Sequence, residues 1–246
     1  MTLYEIGRLL AEPVLPPLYA QVRHRLRTLL KTNGTLPDVL DVGGRKSPYT
    51  IGLPARITLI DLPRESEVQK KLNLGINDNI VEKLRARRSN VAEVIFGDMT
   101  DSQLPSESFD VVVSVEVLEH VDADDKFVSE VSRVLRPGGA FFMTTPNGDW
   151  VANKNPDHKR HYTKADLARL LKRHFDEVSV EYAIAGGKYR KLGLRPWAIA
   201  RPTSIPLSVL GNLVNSVQSS RRGIGESASG THHLIALARK GREAAS

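Results

Sequence analysis

Apolar positions change period along the chain, and the changes mark out its elements. Leu18, Tyr19, Val22, Leu26, Leu29 and Leu30 recur at helical spacing after Pro16-Pro17, with Arg23, Arg25, Arg27 and Lys31 between them. That predicts a helix closed by Asn33-Gly34, and residues 1–34 as a helical N-terminal cap. Short apolar runs at 39–42, 57–60 and 91–96 predict three strands, which run into Gly43-Gly44, Asp61 and Gly97-Asp98. Residues 109–115 are nearly continuous valine, as in a strand buried on both faces of a parallel sheet. Asp122, Asp124 and Asp125 open the next helix, which turns Phe127, Val128, Val131, Val134 and Leu135 to one side. Arg133 and Arg136 fall in its last turn, and Pro137-Gly138-Gly139 reads as its stop.

A strand at 140–144 follows. Thr163-x-x-Asp166 has the form of a capping box opening a helix that buries Leu167, Leu170 and Leu171. Val178, Val180, Tyr182 and Ile184 alternate as a strand, and 234–238 make the last one. Strands alternating with helices define an α/β fold with ligand chemistry at the carboxyl ends of its strands. The core therefore spans 35–184 and 231–240. Residues 185–230 form an insertion between the last two strands, far longer than a sheet connection requires. Within it Leu207, Leu210, Leu213, Val214 and Val217 form an apolar stripe on one predicted helix, a stripe expected to be buried. The segment reads as a mobile cover over the acceptor side of the site, with Trp197 and nearby bases as an interfacial edge.

Charge sharpens this picture. The 246 residues carry a net +7, distributed as +3 over 1–31, −6 over 32–150 and +10 over 151–246. Basic ends around an acidic middle suit an anionic partner: a phosphate, a nucleic acid or, peripherally, an anionic membrane. No apolar run approaches the ~18 residues of a membrane span, and no basic-then-apolar leader opens the chain, so a cytoplasmic protein is expected. The absence of cysteine excludes thiolate metal sites and cysteine nucleophiles, and no metal is expected.

Acids stand at four successive strand ends: Asp41-x-Gly43-Gly44, Asp61, Asp98 and Glu116. Such acids line one crevice, and an acid after the second strand is placed to accept hydrogen bonds from ribose hydroxyls. Glycines after the first strand admit a ligand close to the backbone. The acid directly before them suits a cationic ligand rather than a pyrophosphate. At this point the sequence resembles the class I S-adenosylmethionine-dependent methyltransferases, in the type 11 branch that includes ubiquinone-biosynthesis-like enzymes. The resemblance covers roughly residues 36–184. It is most specific from Gly97-Asp98-Met99, through Val115-Glu116-Val117-Leu118-Glu119-His120, to Leu135-Arg136-Pro137-Gly138-Gly139.

The resemblance implies a Rossmann-like sheet of seven strands, the last antiparallel, with helices on both faces and the cofactor S-adenosyl-L-methionine across its carboxyl edge. It places Asp41, Gly43 and Gly44 at the methionine moiety and Asp61 at the ribose. Asp98 falls at the adenine amino group, Met99 on the adenine ring and Glu116 at the methionine end. The family's first motif is an acid followed by three alternating glycines; here Arg45 and Lys46-Ser47-Pro48 replace the later ones, either with Ser47 as a small substitute or as a rebuilt loop that has lost cofactor affinity.

Methyl transfer from a sulfonium is an in-line displacement, so positioning dominates and a base is needed only when the nucleophile holds a proton. His161, His158 and His120 are the candidate bases, because the family turns the 157–163 segment toward the acceptor. Lack of cysteine excludes pyrimidine C5 methylation. Ser114-Val115-Glu116-Val117 is not the Asn/Asp-Pro-Pro-aromatic turn of adenine amino methylation. The expectation is an enzyme that O-methylates a small-molecule, saccharide or lipid-linked acceptor. The alternatives are an RNA methyltransferase, from the basic block, and a non-catalytic module of the same fold, from the altered glycine motif.

Overall fold

The computed structural model describes every residue except 32, 33, 46, 64–74, 196–202, 222 and 243–246. Its seven strands are β1 (Asp38–Val42), β2 (Arg56–Asp61), β3 (Val91–Phe96), β4 (Phe109–Val115), β5 (Leu135–Pro146), β6 (Glu177–Ala185) and β7 (Thr231–Arg239). They form one sheet in the order β3-β2-β1-β4-β5-β7-β6. Strand β7 runs antiparallel to both neighbours, and the pairings from β3 across to β5 are parallel. Chain order reverses between β1 and β4, so the crevice beyond their carboxyl ends is where an open α/β sheet takes its ligand.

Both faces of the sheet are covered. Helices α4 (Asp124–Val134) and α5 (Lys164–Leu171) pack Phe127, Val131, Leu167 and Leu171 against Leu40, Val112 and Phe141 on one side. Helix α2 (Pro17–Leu29) packs Leu18, Val22 and Leu26 against Val39, Ile57 and Val113 on the other. Thr163 caps α5 as its sequence anticipates, its hydroxyl accepting from the Asp166 amide at 3.1 Å. Helix α3 (Asp78–Arg87), capped by Asn77, fills part of the long β2–β3 connection. Asn33 and Trp197 lie outside the described residues.

Two expectations change. Pro137-Gly138-Gly139 does not stop α4, which already ends at Val134. Leu135 is extended and pairs with Phe109, and Arg136 leaves the helix to bridge Asp38 and Asp110 at the edge of the sheet. The residues Pro137 to Gly139 therefore belong to β5.

The second change concerns the insertion. Its described part folds as α6 (Lys188–Gly193) and α7 (Ser204–Ser219). The apolar stripe of α7 faces outward: Leu207, Leu210, Leu213 and Val217 are 39, 52, 45 and 66% exposed. Its small and polar face is the buried one, carrying Ser208, Gly211, Asn212 and Asn215. Hydrogen bonding explains the inversion. Ser208 Oγ donates to Gly193 O, Asn212 Nδ2 to Val14 O and Asn215 Nδ2 to Ala185 O. A Cβ at Gly211 would lie 2.6 Å from the Gly193 nitrogen, so the two helices cross with almost no side chain between them. Polar side chains that tie up irregular backbone displaced the leucines from the interior.

The N-terminal segment is clamped to the same region. Helix α1 (Leu3–Ala11) opens with a reciprocal capping box between Thr2 and Glu5. Arg23 is fully buried on α2. Its guanidinium donates to Glu12 Oε2 at 3.0 Å and to the carbonyls of Tyr49 and Ile51 at 3.0 and 2.7 Å. Arg27 completes the pair on Glu12 at 2.6 Å.

Candidate active site

A cleft of about 630 Å³ opens at the switch point, walled by Gly43, Ser47, Asp61, Val115, Glu116 and His120 among others. The β1 strand turns into it through Gly43, whose φ of +68° favours glycine. A Cβ there would sit 2.9 Å from Val117 Cγ2, so the turn and the β4 exit touch backbone to side chain. Ser47 also lines the cleft.

Asp41 is placed beneath this loop and not in the cleft wall. Its carboxylate is fully buried; Oδ2 accepts from Thr50 Oγ1 and faces the buried Arg88 guanidinium at 3.9 Å. Gly44 packs on it so tightly that a Cβ would meet Asp41 Cγ at 2.7 Å. Burial outweighs Arg88 and Thr50 and raises the Asp41 carboxyl from 3.8 to about 6. An acid whose folded value is raised favours the fold while protonated, and that benefit fades as pH climbs from about 4 to about 6. We expect Asp41→Asn to gain on wild type by up to about 3 kcal/mol across that interval and no further above it. Melting temperatures of the two proteins against pH check the slope.

Asp61 lies in the wall, with Oδ1 accepting from the Leu62 amide at 2.9 Å. Asp98 and Met99 are outside the walls. Asp98 Oδ1 is engaged by the Thr100 amide and hydroxyl, and Met99 is buried in the core. Glu116 stands at the β4 exit in a left-handed backbone conformation, φ +55°. Its Oε1 accepts from Thr144 Oγ1 at 2.8 Å and from His233 Nδ1 at 3.2 Å. Burial opposes its charge, but His233 and Thr144 prevail and hold it at about 2, so it is anionic at neutral pH.

The three histidines singled out above form a connected string. His161 Nδ1 contacts Val151 O at 2.8 Å, His161 Nε2 contacts His158 Nδ1 at 2.8 Å, and the His158 ring meets His120 edge-on at 4.6 Å. Only His120 of the three lines the cleft. Burial, and then the neighbouring imidazoles, lower the His158 value. Glu119 is buried behind His120, and burial together with Glu116 pushes its carboxyl well up. Glu119, His120 and His158 bring ligand-capable atoms within 4.8 Å of one another.

A second cavity of about 370 Å³ adjoins the cleft and shares Pro48, Tyr49 and Glu116 with it. Its other walls come from the N-terminal cap (Arg8, Leu15, Leu18, Tyr19) and from the insertion (Arg190, Leu194, Asn212, Asn215). His233 on β7 also lines it, and sequence reasoning missed this residue. A carboxylate only accepts and a guanidinium only donates. His233 therefore carries its proton on Nδ1, toward Glu116, and turns the Nε2 lone pair to Arg190 Nη2 at 3.4 Å. The signal available in the sequence was His232-His233 opening an otherwise apolar strand. Ile184, across the chamber, has φ +62°, rare for a β-branched residue. The backbone is thus strained at Glu116, in the shared wall, and at Ile184, in the chamber.

The strand order of the sheet agrees with comparison to known proteins. Residues 40–143 match the model of a methyltransferase domain, type 11. Over those residues the chain is similar to a type 11 methyltransferase domain. Over 108 residues the chain is 37% identical to a Mycolicibacterium smegmatis protein named "Probable S-adenosylmethionine-dependent methyltransferase", a match covering 42% of each chain. A fatty-acid O-methyltransferase of the same organism is 45% identical over 102 residues, 41% of this chain and 36% of that one. These matches span less than half the length of either relative. A solved S-adenosylmethionine-dependent methyltransferase from Archaeoglobus fulgidus shares the fold of the domain with a TM-score of 0.55 at 16% identity, covering 90% of this chain and 94% of that one. The cofactor of such a methyltransferase domain is S-adenosylmethionine. No helix among the described residues is long and apolar enough to cross a membrane.

Proposed function

We propose that the protein transfers a methyl group from S-adenosylmethionine, held in the 630 Å³ cleft, to an oxygen of a small-molecule or lipid-linked acceptor held in the adjoining chamber. One observation carries this reading: two cavities meet at a common wall of Pro48, Tyr49 and Glu116, the arrangement an in-line displacement needs. The cleft fits the cofactor through Asp61 as acceptor for ribose hydroxyls, the bare Gly43 turn beside the methionine, and the Glu116 carboxylate near the sulfonium. The bound cofactor supplies an electrophilic methyl group, and the chain's residues supply position and proton removal. His233 is the base we assign, since it lines the chamber and Glu116 stabilises the imidazolium that forms. His120, backed by His158 and His161, is the second candidate because it lines the cleft.

In this reading residues 1–34 and 185–230 are a cap and a cover built on the methyltransferase core, since both contribute walls to the chamber. The outward leucines of α7 and the bases around it suit peripheral contact with an anionic membrane. Incubation of the protein with methyl-labelled cofactor and a cell extract tests the assignment, with anionic vesicles added in parallel. Label is expected in the small-molecule or lipid fraction and the protein on the vesicles. Label confined to RNA would establish the nucleic-acid alternative, and no label in any fraction would leave the non-catalytic module.

A further inference from the structure

We propose that the chamber receives an acceptor bearing an anionic group, a carboxylate or a phosphate, on an apolar body, with Arg8 and Arg190 as the receptors of that anion. This rests on the chamber being the acceptor side of the site. Its walls are largely apolar, from Leu15, Pro16, Leu18, Ile184 and Leu194, yet two guanidinium groups border it. Other shielded arginines of the fold have carboxylate partners: Arg23 with Glu12, Arg88 with Asp41, Arg133 with Glu130. Arg8 and Arg190 have none within 4 Å among the described residues.

The contacts they do make are weak. Arg8 lies over the Tyr19 ring at 5.1 Å, and its Nε is buried without a hydrogen-bond partner. Among the described residues the Arg190 guanidinium reaches only His233 Nε2, at 3.4 Å. Burial disfavours the Arg190 charge, and a guanidinium cannot shed it by losing a proton. The acid in the chamber wall, Glu116, already accepts from Thr144 and His233. The Tyr19 hydroxyl, on the chamber's lining, is also buried without a partner. Unmet donors next to guanidinium groups that no carboxylate contacts fit a planar or tetrahedral oxyanion, which a guanidinium binds in fork geometry. The apolar remainder of the wall fits an aliphatic or aromatic body.

The probes are octanoate, octyl phosphate and octanol, titrated by calorimetry into protein saturated with S-adenosylhomocysteine. At least one of the two anions is expected to bind about tenfold or more tightly than octanol, the ratio for one charge-assisted contact. The better of the two identifies carboxylate or phosphate as the natural group. Arg190→Gln and Arg8→Gln should each remove most of that preference without changing the affinity for octanol or S-adenosylhomocysteine, and Arg190→Lys should restore part of it. Octanol binding as tightly as both anions, no measurable binding of either anion, or folded Gln variants with undiminished anion affinity would each overturn the proposal. Failure of S-adenosylhomocysteine itself to bind would instead defeat the methyltransferase reading, and the same titration without it would still report on the chamber.

Discussion

Replacing Glu12 with alanine should cost about 3–5 kcal/mol of stability, a drop of roughly 10 °C in melting temperature for a chain of this size. One carboxylate serves two guanidinium groups, and the Arg23 group is fully buried. Without Glu12 that charge keeps only the carbonyls of Tyr49 and Ile51, and a buried, uncompensated charge is among the most costly single defects. Burial works against the Glu12 charge, but Arg27 and Arg23 hold its carboxyl below 4.5. Its contribution is therefore present above that value and disappears as pH falls through the lower folded one. Urea unfolding at pH 7 measures the loss, and Glu12→Gln should be milder because it retains an acceptor. A change under 1 kcal/mol would show that the cap is not held by this cluster.

Removal of the His233 imidazole should have the largest effect on turnover. His233→Ala is expected to lose roughly 10²–10⁴-fold in rate on an acceptor hydroxyl, with cofactor affinity little changed, because the side chain borders the chamber and not the cleft. His120→Ala provides the contrast: a comparable loss there with His233→Ala near wild type would move the base to the string at His120, His158 and His161. Both rates are read with the acceptor found by methyl labelling.

The parallel part of the sheet was legible because its physics is local in sequence. Val111, Val112 and Val113 had to be buried on both faces, and the strand ends were punctuated by Gly43, Asp61 and Gly97. The helix 204–219 was legible as a helix but not in orientation. An apolar stripe normally predicts the buried face, and here long-range bonds from Asn212 to Val14 and from Asn215 to Ala185 decided otherwise. Those partners are 198 and 30 residues away, beyond any pattern of period 3.6. Asp41 was legible as an acid before glycines, but its direction depends on Thr50 and Arg88, which nothing nearby in the sequence announces. His233 was hidden for a related reason. A histidine inside an apolar strand resembles a core residue until the antiparallel strand carries it beside Glu116.

Calorimetric titration of S-adenosylhomocysteine into the wild-type protein and into Asp61→Ala tests the central claim, that the cleft at the ends of β1, β2 and β4 is the cofactor site. The wild type should bind one equivalent. Asp61→Ala should bind it about 10–150-fold more weakly, the 1.5–3 kcal/mol of hydrogen bonds to a charged acceptor, with an unchanged melting temperature. Wild-type affinity in a folded Asp61→Ala protein, or no binding by the wild type, would contradict the account.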